Sequence, residues 1–243
     1  MQNTFHKIEK TVLGHPFEEE NIAVRQGLFN KVIYLIRRPI LKRKYKKYRK
    51  YNADKPWMNP DAVKVLELLL NKESKVLEYG SGSSTKFFCA RSKHVVSIEH
   101  NRAWFNTIKA QLLSEQINNV EYVLIEPDVP LPTTRLSSLD QINFSAEEYP
   151  IKDELFRTYS AYITRFKDEY FDMVVVDGRA RATCAVNAIS KIKEGGVLVL
   201  DNSERRRYDL VHETLKDWPK IQTTSGLTDT TFWLKPSTKR SNV

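Results

Sequence analysis

The sequence predicts an α/β fold: a mostly parallel sheet, helices on both faces, and an antiparallel hairpin at the C-terminal edge. Three observations carry this reading. Short apolar runs alternate with helical patterns from residue 60 onward. The first run, KVLEY (75–79), empties into a loop with two glycines, GSGSST (80–85). The last patterned stretch, IQTTSGLTDTTFWLKP (221–236), is rich in Thr, Phe and Trp and has a turn signal at Gly226.

The elements follow in order. Residues 20–38 place Val24, Leu28, Val32 and Ile36 at helical spacing, and Phe29, Ile33 and Leu35 widen the stripe. Pro39 should interrupt that helix. NADKPWMNP (52–60) reads as a linker; Asn59 as N-cap and Pro60 at the first helical position begin the next helix. KVLEY (75–79) is strand one, and a helix begins near Ser84. HVVSIE (94–99) is strand two, followed by a helix through Trp104, Ile108, Leu112 and Leu113. VEYVLIE (120–126) is strand three; residues 127–150 are proline-containing and irregular. A helix over about 152–168 leads to FDMVVVDG (171–178), and a helix over 180–193 leads to GGVLVLDN (195–202). A helix over roughly 206–217 precedes the hairpin. Alternation of this kind makes a parallel sheet, with the hairpin as its antiparallel edge.

The chain divides into an N-terminal extension, 1–55, and an α/β domain, 56–243. With 243 residues, 41% hydrophobic and 28% charged, it is long enough to bury a core and has the composition of a globular protein. MQNTFHKIEK lacks the apolar segment of a secretory signal, and LFNKVIYLI (28–36) is too short to span a bilayer. The two cysteines, Cys89 and Cys184, are far apart and lack metal-ligand spacing, which fits a reducing cytoplasm. The net charge of +9 is concentrated in one place: RRPILKRKYKKYRK (37–50) holds nine basic residues and no acid. Without those nine, the 39 Lys and Arg would match the 30 Asp and Glu.

Ligands of such a sheet bind at the carboxyl ends of its strands, where the 78–85 loop lies. The loop lacks the Gly-Lys-Ser/Thr ending of a P-loop. It has Thr85 where a dinucleotide fingerprint would place its third glycine, and Glu78 would face a pyrophosphate. S-adenosylmethionine carries an ammonium and a sulfonium, which favour a nearby carboxylate. Strand two ends in Glu99, whose two oxygens can accept from both ribose hydroxyls; NAD enzymes share that feature.

Glu78, the Gly80/Gly82 turn, the acid at Glu99 and the terminal hairpin together resemble the class I S-adenosylmethionine-dependent methyltransferases over about residues 56–236. The resemblance implies a Rossmann-like methyltransferase sheet. It implies cofactor contacts by Glu78, Gly80, Gly82, Ser84, Glu99, His100 and Asp128; Ser84 stands where many members have a third glycine.

A second constellation lies after strands four and five. Asp177, Asp201 and Asn202 are oxygen ligands of a kind that suits Mg²⁺. The pattern is similar to the metal-dependent O-methyltransferases, although Ala180 stands where that group has a lysine. Alternatively, Asp177 meets cofactor or acceptor directly and Asp201–Asn202 cap the next helix. Arg179 and Arg181, with Arg205, Arg206 and Arg207, suit an anionic acceptor, a small molecule or a glycan. The expected reaction is methyl transfer, O-methylation favoured, with Asp177 or a bound metal removing the acceptor proton and Arg179 and Arg181 at the reacting end. The competing readings are an NAD-linked oxidoreductase and a catalytically silent fold that binds RNA or membrane.

The 37–50 segment is expected to dock on an anionic surface, with membrane lipid ahead of nucleic acid, because Tyr45, Tyr48 and Tyr51 punctuate its charges beside an apolar stripe. The alternative is that the stripe packs on the α/β domain. The implied location is cytoplasmic, with peripheral attachment at the inner face of the membrane.

Overall fold

The computed structural model describes residues 28–129 and 154–237. Helix α1 (Leu28–Tyr51) leads through a short linker to α2 (Pro60–Leu69). The α/β series continues with β1 (Lys75–Tyr79), α3 (Ser83–Cys89), β2 (His94–Glu99), α4 (Arg102–Ser114) and β3 (Val120–Leu124). After the undescribed stretch come α5 (Arg157–Ala161) with a 3-10 turn (Tyr162–Arg165), β4 (Phe171–Val176), α6 (Arg181–Ala188) and β5 (Ile192–Asp201). A 3-10 turn (Arg206–Tyr208), α7 (Asp209–Thr214), β6 (Lys220–Thr224) and β7 (Asp229–Leu234) complete it.

The seven strands form one sheet in the order β3-β2-β1-β4-β5-β7-β6. The first five are mutually parallel; β7 runs antiparallel to β5 and β6 to β7. The strand order reverses beside β1, and the carboxyl ends of β1 and β4 are the switch point at which ligands of such sheets bind. Period-two alternation divides the core between the two faces. Val76, Val95, Val175 and Phe232 pack with Ala62 and Leu66 of α2 and Phe88 of α3. Leu77, Val96, Val174, Leu198 and Trp233 pack with Tyr159, Ala185 and Val211 from the opposite helices.

Local signals explain the helix starts. Asn59 accepts from the Ala62 amide at 2.9 Å, and Pro60 fills the first helical position. Asn101 caps α4 by accepting from the Trp104 amide at 2.9 Å. Gly226, at φ +74°, supplies the left-handed residue in the β6–β7 connection.

Three expectations change. Pro39 does not interrupt the first helix but lies inside α1. It sits on an exposed side, where water can take the carbonyl its missing N–H leaves bare. The long helix over 152–168 is a short helix and a 3-10 turn in its described part, with Phe156, Tyr159 and Ile163 buried in one cluster. The helix over 180–193 ends at Ala188, and β5 starts earlier than its apolar run. Ile192 already pairs with Phe171, and the register then shifts past Gly195, at φ +75°.

The described part of α1 rests on the α/β domain. The Tyr45 hydroxyl donates to the Met58 carbonyl at 3.2 Å, and the Arg49 guanidinium lies 3.5 Å from the centre of the Trp57 ring. A Cβ on Gly226 would come within 2.9 Å of Leu41, so α1 touches the hairpin turn. Among the described residues, no helix is long and apolar enough to cross a membrane.

Candidate active site at the carboxyl ends of the strands

The loop after β1 is shaped by a near-contact between two backbones. Gly80 has φ +93°, and a Cβ there would lie 2.8 Å from Gly178 Cα, in the loop after β4. A Cβ on Gly178 would lie 2.1 Å from the Tyr159 hydroxyl and 2.9 Å from the Gly80 nitrogen. The Gly80 amide donates to the Ile98 carbonyl at 2.9 Å, so the loop is also tied to β2. Gly82 differs: its φ of 166° is extended, and a Cβ would meet only Trp104 Cζ2, at 3.9 Å. Nothing among the described residues crowds a Cβ at position 82.

Glu78 and Glu99 take opposite roles. Glu78 is one residue short of the strand end, and its parity puts it on the α3 face with Val76. It is 1% exposed, accepts from Ser97 Oγ at 2.7 Å, and accepts from the Thr85 hydroxyl. Burial pushes its carboxyl up to about 7 despite hydrogen bonds from Thr85, Ser97 and Ser84. Thr85 also accepts from the Gly82 amide at 3.1 Å, so Glu78 supports the loop from beneath.

Glu99 closes β2. Its Oε2 accepts from the Ser81 amide at 3.2 Å and the Ser81 hydroxyl at 2.8 Å; its Oε1 accepts from the amides of His100 at 2.8 Å and Asn101 at 2.7 Å. Burial acts to raise its pKa, but hydrogen bonds from His100, Asn101 and Ser81 and the nearby imidazole outweigh it and hold the carboxyl near about 2. The result is an ionised acceptor beside the glycine loop. His100 Nδ1 lies 3.0 Å from Glu99, and its Nε2 accepts from Arg179 Nε at 3.2 Å. Arg179 thereby links the loop after β4 to that after β2, across the end of β1. Asp128 accepts from the Thr158 amide at 3.1 Å and from its hydroxyl, and so steadies the start of α5.

Residues outside the sequence-based set complete the loop. Ser81 also shares a 2.7 Å hydrogen bond with the Tyr122 hydroxyl, and its carbonyl accepts from Trp104 Nε1 at 2.9 Å. Trp104 is 39% exposed, large for an aromatic residue in an amphipathic helix. That exposure is visible only once α4 is placed. Ser81 had one sequence signal, its position between the two glycines.

After β4 and β5, Asp177 and Asp201 form a carboxyl pair around Arg181. Arg181 Nη2 is 2.8 Å from Asp177 Oδ1, and Nη1 is 3.9 Å from Asp201 Oδ2. The guanidinium also donates to the carbonyls of Gly178 at 3.0 Å, Asp177 at 2.9 Å and Asp201 at 2.5 Å, and to Asn202 Oδ1 at 3.4 Å. Burial raises the carboxyls of both acids against the Arg181 charge; the Asp177 charge raises Asp201 further, whereas a hydrogen bond with Asp201 and the Arg205 charge act to lower Asp177. Asp201, 3% exposed, is pushed up to about 7 and accepts from Thr230 Oγ1 at 2.7 Å. The Asp177 side chain is 30% exposed and is the accessible member. Two non-glycine residues at these strand ends, Ala180 (φ +44°) and Asn202 (φ +55°), take left-handed conformations that functional sites often hold.

This arrangement does not fit a divalent metal. Arg181 supplies the positive charge between Asp177, Asp201 and Asn202, and no group of three His, Cys, Asp or Glu suited to a metal exists among the described residues. Arg181 is likewise committed to the strand ends and is not placed to grip an acceptor. Arg205, half-buried and close enough for its charge to favour an ionised Asp177, is better placed.

Among solved structures, a methyltransferase-like protein from Silicibacter pomeroyi is similar at a TM-score of 0.53 and 24% identity, over 76% of this chain and 90% of that one. A putative methyltransferase from Streptococcus mutans, solved in complex with SAH, gives a TM-score of 0.46 at 11% identity, over 68% and 90%. A SAM-dependent methyltransferase from Aquifex aeolicus gives 0.45 at 15%, over 79% and 96%. No protein-family model and no curated protein matches the chain. The fold is that of the Rossmann-like methyltransferases.

Proposed function

We propose that the chain transfers a methyl group from S-adenosylmethionine to a hydroxyl of a small or glycan-type anionic acceptor. The observation that carries this is the pairing of Gly82, whose missing Cβ no described residue fills, with Glu99, an ionised carboxylate one hydrogen bond away through Ser81. A ribose diol can exchange with the Ser81 hydroxyl on Glu99, and the methionine part can lie where a Cβ at position 82 would reach.

S-adenosylmethionine, when bound, supplies an electrophilic methyl on its sulfonium. The chain's part is alignment and proton removal. Asp177, with partial exposure and a pKa raised by burial, takes the acceptor's hydroxyl proton. Arg181 limits the rise, which keeps Asp177 a usable base. Arg205, whose charge reaches this carboxylate, and Arg179, in the same loop after β4, suit an anionic acceptor.

The test is calorimetric titration of S-adenosylhomocysteine into the wild type and Glu99→Ala. Loss of a charge-assisted acceptor, worth roughly 1.5–3 kcal/mol, should weaken binding about tenfold or more while the variant stays folded by circular dichroism. Unchanged affinity, or no binding by the wild type, overturns the reading.

A further inference from the structure

We infer that α1 is a membrane-docking helix that lays its outward face on an anionic lipid surface. The inward face is already used. Leu41, Tyr45 and Tyr48 recur at helical spacing and are half-buried, and Tyr45 and Leu41 make the contacts to Met58 and to the Gly226 turn. The opposite face is divided along its length. Its first turns carry Val32, Leu35, Ile36 and Ile40, which are 53%, 66%, 67% and 57% exposed. Its later turns carry Arg43, Lys46, Lys47 and Lys50, all exposed. No acidic residue occurs in the 24 residues of the helix.

Aliphatic and cationic groups along one face match the two layers of a lipid surface. The aliphatic turns enter the acyl boundary, and the basic turns meet headgroup phosphates. Tyr51, 71% exposed, and Trp57, 55% exposed beneath Arg49, stand at the basic end and suit the interface. Other occupants fit less well. RNA would satisfy the basic turns but leave four aliphatic side chains in water. A second copy would set two acid-free cationic helices against each other.

The placement has a direction. The Gly226 turn joins β6 to β7 at the same end of the sheet as Asp201, because Thr230 pairs with Asp201. The inward face of α1 therefore lies at the ligand end, and docking the outward face brings that end beside the lipid.

Flotation of the full chain with phosphatidylcholine vesicles, and with the same vesicles containing phosphatidylglycerol, tests this at low and high salt. The wild type should float only with the anionic vesicles. Arg43→Gln/Lys46→Gln/Lys47→Gln/Lys50→Gln should lose at least about tenfold in partitioning at low salt. Leu35→Ser/Ile36→Ser should keep weak low-salt binding and lose what survives at high salt. All substituted positions are exposed, so both variants should retain the wild-type circular dichroism. No flotation of the wild type at low salt overturns the inference, whether residues 1–27 or a partner cover the face. Equal flotation of the glutamine variant, displacement from vesicles by an RNA oligomer, or a dimer that the serine variant dissociates without affecting flotation also overturns it.

Discussion

Arg181→Met removes the guanidinium and keeps most of the stem. Three backbone carbonyls, of Asp177, Gly178 and Asp201, lose a donor at 2.5–3.0 Å, and Asp177 loses its ion pair at 2.8 Å. Breaking a buried pair on one side costs about 3–5 kcal/mol. For a chain of this size that is a fall in Tm of about 6–20 °C. The cost should depend on pH. Asp201 has its carboxyl raised from 3.8 to about 7 in the folded protein. A carboxyl raised on folding favours the folded state below its unfolded pKa, and that stability is lost as pH rises through the folded value. The wild type loses it between about 4 and 7, and the variant, without the opposing cation, loses more and continues to lose it at higher pH. Urea unfolding of both proteins at about pH 5 and about pH 8 should give the larger deficit at the higher pH. Equal deficits at the two pH values, or a deficit under about 1 kcal/mol, would refute Arg181 as the counter-ion of the acid pair.

Glu78→Gln keeps an acceptor for Thr85 and Ser97 and removes a carboxyl raised to about 7; its stability relative to wild type should improve as pH rises from about 5 to about 8, by up to about 3 kcal/mol in urea titrations. Gly82→Ala should leave Tm within about 3 °C of wild type, because a Cβ meets only Trp104, yet weaken S-adenosylhomocysteine binding severalfold; unchanged affinity would remove the loop from the cofactor site. Exhaustive chelation with EDTA should leave methyl transfer unaffected, since Arg181 and not a metal faces the two acids; a loss restored by Mg²⁺ would reverse that assignment.

Much of the frame was legible because its signals are local. KVLEY and HVVSIE are apolar runs with abrupt ends, and β1 and β2 match them residue for residue. Asn59 and Pro60 mark a helix start by chemistry contained in two residues. Asp177, Arg179, Arg181, Asp201 and Asn202 could be brought to adjacent strand ends because the strand alternation implied it. What was not legible depends on pairings distant in sequence. That Arg181 spends its nitrogens on the ends of β4 and β5 follows from two left-handed turns, at Ala180 and Asn202, that no composition signal marks. Glu78 reads as a strand-end acid, but parity seats it under α3 with Thr85 and Ser97, and the partner from β2 is set by strand order. Pro39 stays inside α1 because proline ends a helix only where its bare carbonyl and ring cannot be accommodated, and its exposure is decided by where α1 rests.

The contact between Gly80 and Gly178 has a consequence for how the sequence can vary. In a library that randomises both positions and is sorted for folded protein, the two should behave as one heritable character: glycine at either is of no use without glycine at the other. Trimming the neighbour does not release them equally. Tyr159→Phe removes the hydroxyl that a Cβ on Gly178 would strike, but that Cβ would still lie 2.9 Å from the Gly80 nitrogen, a backbone atom that no substitution can shorten. Gly82, two positions along the same loop, should drift freely in that sort and become fixed only when the library is selected for ligand. Comparing the two selections would separate, position by position, what the chain needs to fold from what it needs to bind.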